Sequence, residues 1–547
     1  MTRLFVALAA LAPWAAVLPM HGVPGVLAHA LLFLAAAHGA GVVLGGLASR
    51  HDLQPLVAIQ WGFAGLITVG GIALMFGAYT LPMQVTIVCM FAGVHTAVII
   101  ARWHDVRSIS AGPWLAPALL LAGLAAIHML GAAGDIGARP FDDDGHVLAQ
   151  LKRLRDTGAL EDAIGYARRS QLGGQLVLTA LATVPGDVHL ARLLEAIAFA
   201  AALGHALARI RPSDLASSLW AVLIVITGCA LAFVPLDLAT CWTAVGLLLA
   251  LHAASDRENR ANVGIAGLLA GALIALRLEL APLALAGLVR VWWPARRVRG
   301  SATFAAFGLF AVVLPYAITR WSHSPPSEIR SLFAGGALDY ASKLLWPLAI
   351  TAGLIIAVAI ARRSTLAAGG MIASIACIVL IHEGRDSGGR QRWARRYLEL
   401  AANIEYVRHS GIAAPVVGGY ASVLAGAPRD ATVALWVTRP ERLDYAAHRF
   451  VDLRTPRVAP LRVHRWDAHT SKLERILVAA RAEYVLVEVD DRTNERILGG
   501  SLYRFMCSPY APACADDLEV LALRHPIVAA GDGLRLIDLR ALSARPR

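Results

Sequence analysis

Residues 55–101 read PLVAIQWGFAGLITVGGIALMFGAYTLPMQVTIVCMFAGVHTAVIIA, without one Asp, Glu, Lys or Arg. The run falls into two apolar stretches, 55–77 and 82–101, parted by a short turn around Gly77-Ala78-Tyr79-Thr80. At about 1.5 Å of rise per residue, either stretch is long enough as a helix to cross a hydrocarbon core of about 30 Å. A helix with no charge on any face has no side to show to water, so the partner of this run is lipid or protein. That decides the fold class.

Similar stretches extend both ways along the chain. On the N-terminal side they lie at 4–20 and 25–47, and on the C-terminal side at 113–133, 188–208, 214–233, 236–253, 301–319, 341–361 and 365–382. The stretch 261–293 is too long for one span and carries Arg277 and Glu279 at its middle, so it reads as two helices meeting at those charges. The total is about thirteen transmembrane helices. Residues 171–184 are apolar but short, which fits a re-entrant or interfacial segment. The chain divides into N-terminal spans at 1–133, an acidic loop with interfacial helices at 134–187, a transmembrane core at 188–382 and a small C-terminal α/β domain at 383–547.

The 547 residues are 57% hydrophobic and 16% charged, a charge content too low for a soluble chain of this length. The net charge of +12 comes almost wholly from Arg, and within the apolar part the Arg sits in short loops between spans. That is a pattern of membrane orientation rather than a nucleic-acid footprint. Arg50 and His51, Arg102 and Arg107, Arg209 and Arg211, Arg257 and Arg260, Arg296 to Arg299, and Arg362 and Arg363 all fall on one side. The positive-inside rule makes that side cytoplasmic, together with the N-terminus. The acidic loop and the C-terminal domain are then extracytoplasmic, in a cell inner membrane. Arg385, Arg390, Arg392, Arg395 and Arg396 pull the other way, although a long translocated domain escapes the rule in part.

In the C-terminal domain an Arg-rich helix is expected at 391–407 and strands at 415–418, 433–437, 484–489 and 534–539. Cys507 and Cys514 bracket a Pro-rich turn and would be free to form a disulfide on the extracytoplasmic side. No CxxC pair and no zinc-ligand spacing is present.

The loop Gly134-Asp-Ile-Gly-Ala-Arg-Pro-Phe-Asp-Asp-Asp-Gly-His146 places three consecutive carboxylates, Asp142, Asp143 and Asp144, next to a span. Crowded carboxylates disfavour full ionisation, a suitable setting for a general base. An amphipathic helix follows, with Val147, Leu148, Leu151 and Leu154 on one face and Lys152, Arg153 and Arg155 expected toward lipid phosphates. The plainer reading is an acidic turn stabilising the N-terminus of that helix.

Asp142-Asp-Asp-Gly-His-Val-Leu-Ala-Gln-Leu-Lys-Arg-Leu154 resembles the first outer loop of the GT-C membrane glycosyltransferases, such as the protein O-mannosyltransferases and the aminoarabinose transferases. Val234-Pro-Leu-Asp237 is similar to a Pro and acidic residue at an outer turn of that family, and Gly267 to Glu279 to its Gly-rich helix ending in a basic residue. The likeness covers residues 134–380. It departs from the family pattern in having five spans before the acidic loop and in Gln171-Leu-Gly-Gly174 where an aromatic, Pro-rich run is usual.

The resemblance implies a polyprenyl-phosphate-linked sugar as donor, a hydroxyl acceptor and catalysis at the outer face. Asp143 or Asp142 is the candidate base. Asp144 would orient it or, with Asp142, hold a divalent metal, which needs further ligands. Arg277 is the leading candidate to meet the developing phosphate charge, since an Arg within an apolar segment is costly unless it serves a site or a structural pair. Arg139, Arg192, Asp237 and Glu279 are further substrate-binding candidates, with a local Arg192–Glu195 pair as the simpler reading of Arg192. Histidines 29, 38, 95 and 128 lie within spans and read as packed, hydrogen-bonded imidazoles. A multi-span transporter or flippase, and a non-catalytic envelope assembly protein, are the alternative functions.

Overall fold

The computed structural model describes residues 22–48, 54–101, 115–138, 142–160, 172–184, 188–210, 241–255, 260–323, 337–361, 418–437, 440–452, 480–488 and 515–543, with isolated positions near Trp14, Leu219, Ala401 and Leu473. The spans expected at 4–20, 214–233 and 365–382 lie wholly or mostly outside these residues. So do Cys507 and Cys514, the expected strand at 415–418 and most of the Arg-rich helix at 391–407.

The helices are α1 (Gly22–Leu47), α2 (Pro55–Met75), α3 (Leu81–Ala101), α4 (Leu115–Ala138), α5 (Asp142–Thr157), α6 (Gly174–Ala182), α7 (Leu193–Ile210), α8 (Cys241–Ala254), α9 (Arg260–Leu276), α10 (Ala281–Ala295), α11 (Ser301–His323) and α12 (Ala337–Ala361). Single 3-10 turns at Val188–Arg192 and Leu278–Leu280 precede α7 and α10. Among the described residues five segments are long and apolar enough to cross a membrane, against the about thirteen expected for the whole chain: Gly22–Leu47, Pro55–Met75, Leu81–Ala101, Leu190–Arg209 and Ser301–Thr319. Shorter apolar helices accompany them at Ala118–Ala132, Cys241–Ala254, Arg260–Leu276 and Pro347–Ala359.

Small residues set how closely these helices approach. A Cβ on Gly41 would lie 1.7 Å from the Ala58 carbonyl oxygen, and one on Gly62 would lie 1.7 Å from that of Ala37, so α1 and α2 touch backbone to backbone. Where lipid is as apolar as the interface, such close van der Waals contact supplies the association energy. Phe304, Phe307, Phe310, Leu314 and Ile318 of α11 stay exposed at helical spacing, as a lipid-facing stripe should.

Helix α6 is the exception in length. Nine residues rise only about 14 Å, less than half of a hydrocarbon core, and all nine are buried. It packs among α2, α5 and α9. Gly173, at φ 125°, turns the chain into it. The Tyr79 hydroxyl donates to the Val177 carbonyl at 2.8 Å, fixing the helix from the turn between α2 and α3.

The C-terminal part adds α13 (Gly418–Leu424), β1 (Thr432–Trp436), β2 (Arg449–Asp452), β3 (Tyr484–Glu488), α14 (Ala515–Arg524), β4 (Ile527–Gly531), β5 (Leu534–Asp538) and α15 (Arg540–Ser543). The strands form one mixed sheet in the order β2-β1-β3-β5-β4. β1 is parallel to β2 and β3, while β5 is antiparallel to β3 and β4. β1, β3 and β5 match the strands expected from sequence; the edge strands β2 and β4 were not expected. Apolar cores cover both faces, one around Leu477, Val485 and Leu521 and the other around Tyr420, Val433 and Leu486.

Candidate functional site

Helix α5 joins the two parts. It begins at Asp142, so Asp142, Asp143 and Asp144 occupy its first turn, where the exposed amides and the helix dipole favour negative charge. The side chains of residues 142–147 lie outside the described residues, as do Arg139 and Asp237 altogether. Further along, Leu148, Leu151 and Leu154 are fully buried in the core of the helical bundle. Ala149, turned the other way, is buried in the core of the sheet domain beside Tyr420 and Leu443. Removing Leu side chains of this kind from water contributes about 2 kcal/mol each.

The basic residues of α5 contact protein, not only a lipid surface. Arg155 is buried, and its Nη2 donates to the carbonyls of Thr183 at 3.0 Å and Ala180 at 3.4 Å and to the Thr183 hydroxyl. The last carbonyls of a helix have no intrahelical donor, so a buried Arg satisfies the end of α6. Lys152 pairs with Asp156 one turn on. The Arg153 guanidinium lies over the Tyr445 ring at 5.8 Å, and the Tyr445 amide donates to Asp156 Oδ2 at 3.2 Å. The expectation that all three basic residues face lipid phosphates is therefore corrected. Arg155 stands at i+7 from Leu148 and i+4 from Leu151, on the buried face, and that spacing was the signal available in the sequence.

A second polar group gathers at the ends of α7, α8 and α9. Glu195, in the first turn of α7, accepts from the amides of Trp242 at 2.7 Å and Thr243 at 3.3 Å, and from the Thr243 hydroxyl at 2.6 Å. It caps α8 from another helix, satisfying two of the orphan amides in its first turn. The Arg277 guanidinium interacts electrostatically with this carboxylate and lies near Cys241. Arg277 sits at the break after α9 in an extended conformation, φ −155° and ψ 132°.

The break falls where the paired charges predicted it. Both charged residues are enclosed by protein, however, rather than lying on its surface: Arg277 is 4% exposed and Glu279 is 8% exposed. They are not an ion pair with each other. Arg277 interacts electrostatically with Glu195, and Glu279 Oε2 has no hydrogen-bond partner. Glu195 and Arg155 are the polar residues whose part sequence reasoning missed.

These groups share one end of the bundle. The 3-10 turn Val188–Arg192, which carries Arg192, packs against both α5 and α6. A Cβ on Gly174, at the start of α6, would meet the Ala275 backbone at 2.9 Å, two residues before Arg277. The Tyr79 amide donates to the Gly158 carbonyl at 3.2 Å, bringing the α2–α3 turn to the same end. Burial, reinforced by Tyr316 and opposed by nearby Arg155, holds the Tyr79 phenol well above its ordinary pKa, so it stays a neutral donor.

His38 and His95 meet Nδ1 to Nδ1 at 2.9 Å, and His128 packs edge-on against Phe199 with ring centroids 5.2 Å apart. Among the described residues no three His, Cys, Asp or Glu side chains gather to hold a metal, and Cys89 and Cys241 are free thiols.

Fold and site together define a helical, membrane-associated protein that carries a mixed-sheet domain on an amphipathic helix. Compared with known protein families, with curated proteins and with solved structures, the chain matches none.

Proposed function

We propose that this protein is a membrane glycosyltransferase that moves a sugar from a polyprenyl-phosphate donor to a hydroxyl acceptor at the α5 end of the bundle. The reading is supported by the acidic first turn of α5, by the packing of that helix against the turn that bears Arg192, and by Arg277 buried at the break after α9 of an apolar bundle. A lipid-linked sugar needs that combination of an apolar wall for the chain, cations for the phosphate and a carboxylate for the acceptor. In the reaction the acceptor oxygen forms a bond to the anomeric carbon as the bond from that carbon to the phosphate oxygen breaks. The acceptor proton passes to Asp143, or to Asp142, and the polyprenyl phosphate leaves with its added negative charge facing Arg277. Glu195, which interacts electrostatically with Arg277, would help to hold the guanidinium there. This end of the bundle would face out of the cell from its inner membrane.

The test is transfer from undecaprenyl-phosphate-linked sugars by the full-length protein in vesicles. Asp143→Asn, combined with Asp142→Asn, should lower transfer by at least about 100-fold, the usual contribution of a general base. Full transfer by the double variant would sink the assignment of the base. Movement of intact lipid-linked sugar between leaflets, without transfer, would favour a flippase.

A further inference from the structure

Glu279 is an unusual residue for its position. It lies in a single 3-10 turn between two apolar helices, is 92% buried, and its Oε2 has no hydrogen-bond donor. Leaving a hydrogen-bond acceptor buried without a donor is costly. Ionisable residues kept at such places in membrane proteins mark sites by default. The neighbouring Arg277 makes no ion pair with it and interacts electrostatically with Glu195. The N-terminus of α10, which begins at Ala281, offers dipole stabilisation but no hydrogen bond to Oε2.

A carboxylate oxygen in this state repels anions and is completed by a ligand that brings O–H donors. We infer that Glu279 is the sugar-recognising group of the site, accepting hydrogen bonds from the ring hydroxyls of the carried sugar, while the phosphate lies toward Arg277. This rests on the glycosyltransferase reading. It adds a division of labour across one turn of chain, with Arg277 serving the charged part of the donor and Glu279 its neutral ring. A site built on hydroxyl donors discriminates strongly against a ligand that lacks them, because its own acceptor is then left unmade.

The experiment compares the full-length protein and E279Q in lipid nanodiscs, titrated with undecaprenyl phosphate and with undecaprenyl-phosphate-linked mannose, glucose, galactose and aminoarabinose. The wild-type protein should prefer at least one sugar-bearing lipid over the bare phosphate. E279Q should lose about tenfold in affinity for that lipid, the equivalent of one charged hydrogen bond, with affinity for undecaprenyl phosphate unchanged. Its thermal unfolding without ligand should be unchanged, since Gln keeps the size and shape of the side chain. Retention of the sugar preference by E279Q overturns this inference and leaves the transferase reading standing. A wild-type protein that binds none of the lipids, or does not distinguish sugar-bearing from bare ones, overturns both. Loss of folding in E279Q makes Glu279 structural and overturns the inference alone.

Discussion

The helical bundle and the sheet domain solve the packing problem in opposite ways, and α5 has to satisfy both. In the bundle, backbones approach through glycines, as where Gly41 and Gly62 seat α1 against α2, and buried polar groups serve helix ends. In the domain, side chains interleave across a mixed sheet, and polar residues stay near the rim, as in the Asp538–Arg540 pair. The bundle face of α5 is accordingly three leucines and a buried Arg, and its domain face is Ala149 with the partly exposed contacts of Arg153 and Asp156 to Tyr445. Substitutions in the bundle should therefore cost more than equally conspicuous ones in the domain.

The sharpest way to break that contrast is Gly41→Leu. The new side chain would start 1.7 Å from the Ala58 carbonyl oxygen, so α1 and α2 must separate. The loss should reach at least the roughly 3 kcal/mol of severe overpacking, read as thermal unfolding in detergent. An unchanged midpoint would mean that the helices do not touch there.

Arg155→Met comes next. It keeps the apolar stem but leaves the Thr183 and Ala180 carbonyls without their donor. About 2 kcal/mol should be lost, with faster proteolysis in residues 172–184. Lys should restore it only in part, because its shorter stem must bring the ammonium to the place where Arg155 Nη2 makes all three contacts. Full rescue by Lys would show that charge alone matters.

Asp156→Ala probes the other face. It removes a hydrogen bond to the Tyr445 amide and the partner of Lys152, both partly exposed, for about 1 kcal/mol. The expected sign is release of the sheet domain to protease with the bundle's unfolding midpoint unchanged. A fall in the bundle midpoint would mean that the two parts unfold as one.

The smallest effect belongs to Arg540→Ala. Its hydrogen bonds hold Asp538 below the usual carboxylate range, against an opposing effect of burial. A carboxylate with a depressed folded pKa contributes stability above its unfolded pKa and loses it as pH falls through the folded one. The variant should be slightly less stable than the parent at neutral pH, and the difference should vanish in acid below the ordinary Asp range. Exposure of the arginine keeps the effect small. A difference that persists in acid would assign it to packing of Arg540 over the Tyr484 ring, at 5.3 Å.

Much of the bundle was legible because the bilayer imposes one length and one chemistry on a crossing helix. The break at Arg277 was visible for the same reason, since two charges cannot sit in the middle of a span at no cost. The shortness of α6 was equally readable. β1 and β3 were visible as apolar runs since they are covered on both faces, whereas β2 and β4 are edge strands whose Arg449, Asp452, Ala529 and Gly531 carry no strand signature. The partners of Arg155, Glu195 and Arg277 were hidden because each contact joins segments distant in the chain. Local spacing pointed Glu195 to Arg192, but the unfilled amides of α8 lie 47 residues away in sequence.

The contact between α5 and the sheet domain has a bearing on parity. Two segments that touch outside the bilayer lie on the same side of it, so the chain between them crosses an even number of times. A reporter fused after Gly145 and one fused within the sheet domain should therefore read the same side of the membrane.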